Sequence, residues 1–189
     1  MSVFNGSHDS INLIRRKLIT QSAAVVTTSA LPLVIHANTN TISERSLTLL
    51  NLHTDELLET CYWANGQYQH KGLSEISYIL RDHRTEKAHK MDPALLDLLH
   101  LLHEKCGSNA PFHVISGYRS PETNIKLRKN SDGVAKKSLH MQGKAIDIRL
   151  PDIALNKLHS TAVALQAGGV GYYAKSNFLH VDIGKPRTW

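Results

Sequence analysis

The chain of 189 residues holds only two cysteines, Cys61 and Cys106. Two thiols allow at most one disulfide and make no disulfide framework. They also argue against a structural zinc site, which is normally closed by four ligands and leans on Cys. Aromatic residues are scarce, at 6%. No Lys/Arg-rich block is interleaved with them and no nucleic-acid motif is present, which argues against nucleic acid as a partner. Long apolar runs are missing as well. The uncharged stretch Leu18 to Ile35 is broken by Gln21, Ser22, Thr27, Thr28 and Pro32, so it is too polar for a stable membrane anchor. There is no internal repeat, no low-complexity tract and no regular strand–helix alternation of the kind that builds a parallel sheet.

What is present starts with a leader-like order of segments. Polar Met1 to Ser10, the basic cluster Arg15-Arg16-Lys17, the uncharged run and a small-residue exit read as a secretory signal peptide over residues 1–37, cut after Ala37. The paired arginines followed by Lys17, Leu18 and Ile19 resemble the twin-arginine export signal. That resemblance makes the twin-arginine translocase an expected partner and the periplasm the expected location; a Sec signal or an uncleaved anchor are the other readings. Folding in the reducing cytoplasm before export then implies free thiols at Cys61 and Cys106. Residues 38–46 are polar and read as a linker, leaving residues 47–189 as one domain, expected to be monomeric. Without residues 1–37 the chain keeps 19 Lys+Arg against 15 Asp+Glu. This weak positive excess suits anionic surroundings such as cell wall or a lipid surface.

Within the domain, Leu47–His53 and Glu56–Trp63 read as strands, and Asn65-Gly66 as a turn. Gly72–Arg84 reads as a helix with Leu73, Ile76, Ile79 and Leu80 on one face. Asp92-Pro93 opens a stronger helix, an N-cap followed by proline in the first turn, whose buried stripe is Leu95, Leu96, Leu99 and Leu102. His100 and His103 lie beside that stripe, as helix-surface residues. Phe112–Ser116 reads as a strand and Pro121–Lys129 as a helix. Ala145–Leu150 is a strand, Pro151-Asp152 caps a helix reaching Ala167, and Val170–Tyr173 and Phe178–Ile183 form a final strand pair. The fold class expected is α+β, a small and largely antiparallel sheet with flanking helices.

Two stretches carry chemistry. Ser138-Leu139-His140-Met141-Gln142-Gly143-Lys144-Ala145-Ile146-Asp147 sets a histidine and an aspartate seven residues apart, and Phe178-Leu179-His180-Val181-Asp182 adds an imidazole and a carboxylate. Alternation along a strand points Phe178, His180 and Asp182 one way and Leu179, Val181 and Ile183 the other. Asp147 is likewise opposed by the core-facing Ile146 and Ile148. Two His and one Asp give a zinc ion three protein ligands and leave the fourth tetrahedral position for water. Taken singly, each is as readily a solvent-facing or hydrogen-bonded polar residue.

The pattern Ser138-x-His140-x-x-Gly143-x-Ala145-x-Asp147 with the late His180 resembles the zinc peptidase superfamily of D-alanyl-D-alanine carboxypeptidases, D-Ala-D-Ala dipeptidases and Hedgehog-like domains. Ser116-Gly117-Tyr118-Arg119-Ser120 is similar to its upstream arginine motif. The resemblance is closer to the twin-arginine-exported, YcbK-like murein endopeptidases. There it extends to Leu47–His53, to Gly168-Gly169-Val170-Gly171-Tyr172-Tyr173 and to Trp189. It implies a bound zinc held by His140, Asp147 and His180, a small α+β fold and peptidoglycan as substrate. Arg119 is implied to hold substrate and developing oxyanion. The chain departs from the pattern at the base. Many relatives carry Glu or Asp three residues before the last ligand, or His two before it, where this chain has Asn177 and Phe178. Asp182 is the nearest replacement, either as general base or as a carboxylate orienting a ligand imidazole. Tyr172 and Tyr173 remain further proton-handling groups. The function implied is metal-assisted hydrolysis of peptide cross-links in the cell wall. A zinc D-alanyl-D-alanine carboxypeptidase and a non-catalytic wall-binding module are the alternatives.

Overall fold

The computed structural model describes residues 44–130 and 133–189. The signal-peptide and twin-arginine readings, on residues 1–37, lie outside the described residues. The first strand begins two residues earlier than expected, because Arg45 and Ser46 already pair with the second strand.

A hairpin opens the domain, β1 (Arg45–Asn51) with β2 (Leu57–Ala64), and the two-residue β3 (Gln67–Tyr68) follows. Between β2 and β3 the chain reverses at Asn65 and Gly66, both with positive φ, the conformation that a two-residue hairpin loop needs and these residue types tolerate. After α1 (His70–Ile79) and α2 (Pro93–Cys106) come β4 (Phe112–Ser116), α3 (Pro121–Asn130), β5 (Ala145–Arg149) and α4 (Leu155–Ala164). The chain closes with β6 (Gly169–Tyr173), β7 (Phe178–Asp182) and β8 (Arg187–Thr188). One eight-stranded sheet results, in the order β3-β2-β1-β4-β5-β7-β6-β8. The fold is α+β, and the sheet is largely antiparallel; only β1·β4 and β6·β8 pair in parallel.

Helix α2 begins as its sequence predicts, with the Asp92 carboxylate accepting from the Ala94 amide at 3.0 Å and Gly107 closing it in the left-handed conformation. Leu95, Leu96, Leu99 and Leu102 on its inner face are fully buried, in one core cluster with Ile146, Ile148, Leu179 and Val181 from β5 and β7. His100 and His103 are half-buried at the stripe's edge, and His103 bonds the Ala110 carbonyl.

Two helices are shorter than their patterns suggested. Helix α1 stops at Ile79, not Arg84, because the following residues find partners outside it: Arg81 pairs with Glu56 and Glu86, and the Asp82 carboxylate takes the Arg84 and Ser120 amides. Such side-chain bonds compete with the helical ladder. Helix α4 starts at Leu155, not after Pro151, because Asp152 turns its carboxylate to the Ser108 hydroxyl and the Asn109 amide and so caps nothing in α4. It ends at Ala164, and Gln166 has positive φ before the glycine pair. Cys61 and Cys106 are free thiols, and burial pushes the Cys106 thiol up. Among the described residues no helix is long and apolar enough to cross a membrane.

Candidate metal centre

Two short segments and two central strands deliver the polar groups. His140 sits in a 3-10 turn, Leu139–Gln142, which ends at Gly143 with φ +66. A side chain at 143 would run into the Lys90 carbonyl, so glycine is required both by the backbone and by the space. The buried His140 ring bonds the Gly117 carbonyl through Nδ1 at 2.8 Å. A carbonyl only accepts, so Nδ1 carries the proton and Nε2 faces the sheet with a lone pair. Asp147 on β5 lies directly opposite His180 on β7, which puts carboxylate and imidazole side by side on one face. His180 Nε2 bonds Asp182 Oδ2 at 3.0 Å, and by the same reasoning its Nδ1 turns inward.

The three inward atoms converge. His180 Nδ1 lies 2.9 Å from Asp147 Oδ1 and 3.1 Å from His140 Nε2, and His140 Nε2 lies 3.3 Å from the same carboxylate oxygen. Three lone pairs so placed repel one another unless a cation stands among them. The donor set of two imidazole nitrogens and one carboxylate oxygen therefore fits a zinc-type divalent ion. Burial would raise the Asp147 carboxyl, but with no cation bound, charge and hydrogen bonds from protonated His140 and His180 rings outweigh it and hold the group well below the usual carboxylate range; a bound cation would take the place of those protons. Asp147 is thus available as an anion.

Arg119 comes from the segment joining β4 to α3. Its amide donates to the His140 carbonyl at 3.2 Å, and its guanidinium reaches to 3.7 Å from Asp147 Oδ2. The side chain is mostly buried, and its Nε has no hydrogen-bond partner among the described residues. A desolvated guanidinium with an unused donor, beside three lone pairs, is a binding element for an oxyanion. It faces a cavity of about 440 Å³, also lined by Lys137, Tyr173, Phe178 and Trp189.

Asp182 is fully buried and accepts from every side: His180 Nε2, the Gly169 amide at 3.0 Å, the Gly184 amide at 2.8 Å, and Arg187 through Nη1 at 3.1 Å and Nη2 at 2.6 Å. Burial would raise its carboxyl, but the bonds from His180 and Arg187 and the two amides bring it well below the ordinary range. Neither position where relatives carry a base is turned to this use. Asn177 lines a different cavity with His113 and Arg149, and Phe178 stacks on Tyr173. Tyr172 packs beside His159, whereas Tyr173 lines the cavity. Sequence reasoning missed Arg187, Asp82 and the Gly117 carbonyl as partners of the site; a cation five residues after Asp182 was the one available hint.

An α+β sheet carrying a His/Asp/His cluster that could hold a metal ion, with a buried guanidinium beside it, suits a metal-dependent peptidase. Its family follows from sequence: the model described as Peptidoglycan L,D-endopeptidase MepK, of the M15 peptidases, matches residues 39–189. The chain belongs to that family. It is 40% identical over 181 residues to the peptidoglycan L,D-endopeptidase MepK of Escherichia coli strain K12, covering 96% of this chain and 100% of the relative. It is 41% identical over 176 residues to the probable peptidoglycan L,D-endopeptidase MepK of Haemophilus influenzae, covering 93% and 95%. No solved structure matches the chain.

The Arg119 segment is itself anchored by Asp82, whose carboxylate accepts the Ser120 amide at 2.9 Å. Burial would raise the Asp82 carboxyl, but the hydroxyls of Ser120 and Thr123 and the amides of Ser120 and Arg84 bring it from 3.8 down to about 2. A depressed folded pKa contributes stability above the unfolded value and loses it as pH falls through the folded one. Between pH 4 and 2 this group should give up on the order of 2 kcal/mol. Urea unfolding across that range should therefore show a slope that Asp82→Asn largely removes; an unchanged slope would discard the assignment.

Proposed function

We propose that this chain hydrolyses peptide cross-links of peptidoglycan in the periplasm, as an endopeptidase for a bond between an L- and a D-configured centre, with zinc as its metal. The observation that carries this reading is the convergence of His140 Nε2, Asp147 Oδ1 and His180 Nδ1 with each outer ring nitrogen already committed. The family and the names of its relatives support the substrate.

Held by these three residues, zinc would supply polarisation of the scissile carbonyl and acidification of the attacking water. The chain's own groups do the rest. Gly117 and Asp182 fix the two imidazole tautomers, so both inward nitrogens offer lone pairs without a search among protonation states. Arg119 places a fixed positive charge where the carbonyl oxygen gains negative charge. Asp182 orients His180 and does not take the proton, because its oxygens are filled by four donor groups and no face is open to water.

His140→Ala, Asp147→Ala and His180→Ala should each remove most bound zinc and nearly all hydrolysis of purified cross-linked muropeptides, since three ligands leave no redundancy. Metal analysis alongside product masses checks this, and native activity without metal would refute the site. Loss of terminal D-Ala from monomeric pentapeptide, without cleavage of dimers, would mean a carboxypeptidase instead. Asp182→Asn should weaken zinc binding by ~10–100-fold and regain much of its rate when zinc is added. Full zinc occupancy with turnover that added zinc does not restore would make Asp182 the base.

Export through the twin-arginine pore accounts for the Arg15-Arg16 pair and for two unpaired cysteines. The double variant Arg15→Lys with Arg16→Lys should leave precursor in the cytoplasm on cell fractionation. Normal export of wild-type chain in a strain lacking that pore would assign the leader to the Sec route.

A further inference from the structure

Among the described residues, the only carboxylates lining the cavity are Asp147 and Asp182, and Tyr173 stands there as a well-oriented neutral donor. Register places Gly171 of β6 opposite His180 and Tyr173 opposite Phe178. Gly171 and Tyr173 are two apart on β6, so Tyr173 shares a sheet face with His180. Gly171 leaves that face empty, and the Trp189 indole occupies the space, so close that a Cβ at 171 would meet its ring atoms at 2.7 to 2.8 Å. The indole touches both neighbours. Its ring centroid is 5.3 Å from that of His180, and its Nε1 lies 3.0 Å from the Tyr173 hydroxyl.

The direction of that last bond matters. An indole N–H only donates, so the Tyr173 oxygen is the acceptor and its own hydrogen remains unused. The hydroxyl makes no other hydrogen bond among the described residues. The ring is held too, stacked on Phe178 at 4.5 Å between centroids and 15° between planes. A phenol clamped by stacking and by an accepted hydrogen bond loses little freedom when it donates, and accepting a bond strengthens the one it gives. It lines the same cavity as Arg119 and the three candidate ligands.

We propose that Tyr173 is a catalytic residue that donates its O–H to the scissile carbonyl oxygen as that oxygen becomes an oxyanion, opposite Arg119, with Trp189 as its positioning residue. This rests on the hydrolytic reading above and extends it. The donation strengthens as charge develops and involves no net proton transfer, so its benefit falls on the transition state more than on bound substrate. It supplies at this site a neutral donor to complement the guanidinium charge.

The test uses the full mature chain loaded with zinc. Tyr173→Phe keeps the stacked ring and removes only the hydroxyl; kcat on cross-linked muropeptides should fall by about 10² or more with KM nearly unchanged. Zinc content should stay at the wild-type level. Affinity for a phosphinic pseudopeptide, in which a tetrahedral phosphinate replaces the scissile amide, should weaken by a similar factor in calorimetry. Trp189→Phe, which keeps a ring but removes the indole N–H, should lower kcat and phosphinate affinity in the same direction by a smaller factor. If Tyr173→Phe does not fold, the Trp189→Phe result decides the matter alone. Unchanged kcat in both variants, or a loss confined to KM or zinc content, would overturn the role of Tyr173. Wild-type protein without turnover on muropeptides would overturn the proposed function itself, whereas active wild type with equally active Tyr173→Phe overturns only this assignment.

Discussion

The register of β5 against β7 sets Asp147 beside His180, and the rest of the site is arranged around that pairing. What enforces it lies on the opposite face. Ile146 and Ile148 on one strand, Leu179 and Val181 on the other, are buried in the core cluster under the helices. A slip of one residue on either strand would turn that strand's two aliphatic side chains outward and its polar residue inward. Each buried aliphatic side chain contributes roughly 1.5–3 kcal/mol, so the hydrophobic alternation fixes the position of groups it never touches. The third lone pair arrives from outside the sheet, on a turn whose histidine is tied to the Gly117 carbonyl.

Behind His180 the chain accepts an expensive arrangement. Asp182 is a fully buried carboxylate, and such a group is tolerated only when its desolvation is met by charge and hydrogen bonds. Here a guanidinium, two backbone amides and an imidazole meet it together. Space is surrendered for this: at Gly169 a side chain would collide with both the Arg187 guanidinium and the Asp182 carboxylate. The outcome is an imidazole with one tautomer and one orientation. Arg187 is exposed and lies over the Trp189 ring, so the same cation connects the support of His180 to the wall of the cavity.

Much of this was legible in the sequence, for physical reasons that differ from element to element. The strands β4, β5 and β7 and the helix α2 announce themselves because their apolar residues are regularly placed, at alternate positions or as a leucine stripe. His140, Asp147 and His180 stand out as polar teeth on apolar segments. The ends of α1 and α4 did not, because Asp82 and Asp152 are spent on the amides and hydroxyl of distant loops. Asp82 reaches 38 residues to Ser120 and Asp152 reaches 44 to Ser108, and no local pattern encodes such partners. Arg187 escaped notice for a related reason: it lies on a two-residue strand, too short to show any period. Tyr173 was visible as a residue, but its orientation depends on Trp189, which the parallel pairing of β8 with β6 brings in.

That sheet has another consequence, for how copies of the chain meet. Its two outermost strands, β3 and β8, are each two residues long. A free edge is a template for adding further strands, and its hazard grows with the number of unpaired backbone groups it displays. On the β8 side, where β6 pairs with Arg187 and Thr188 and exchanges bonds with Trp189, an incoming strand finds almost no ladder to continue. That end of the sheet can therefore stand beside a neighbouring molecule without inviting a further strand.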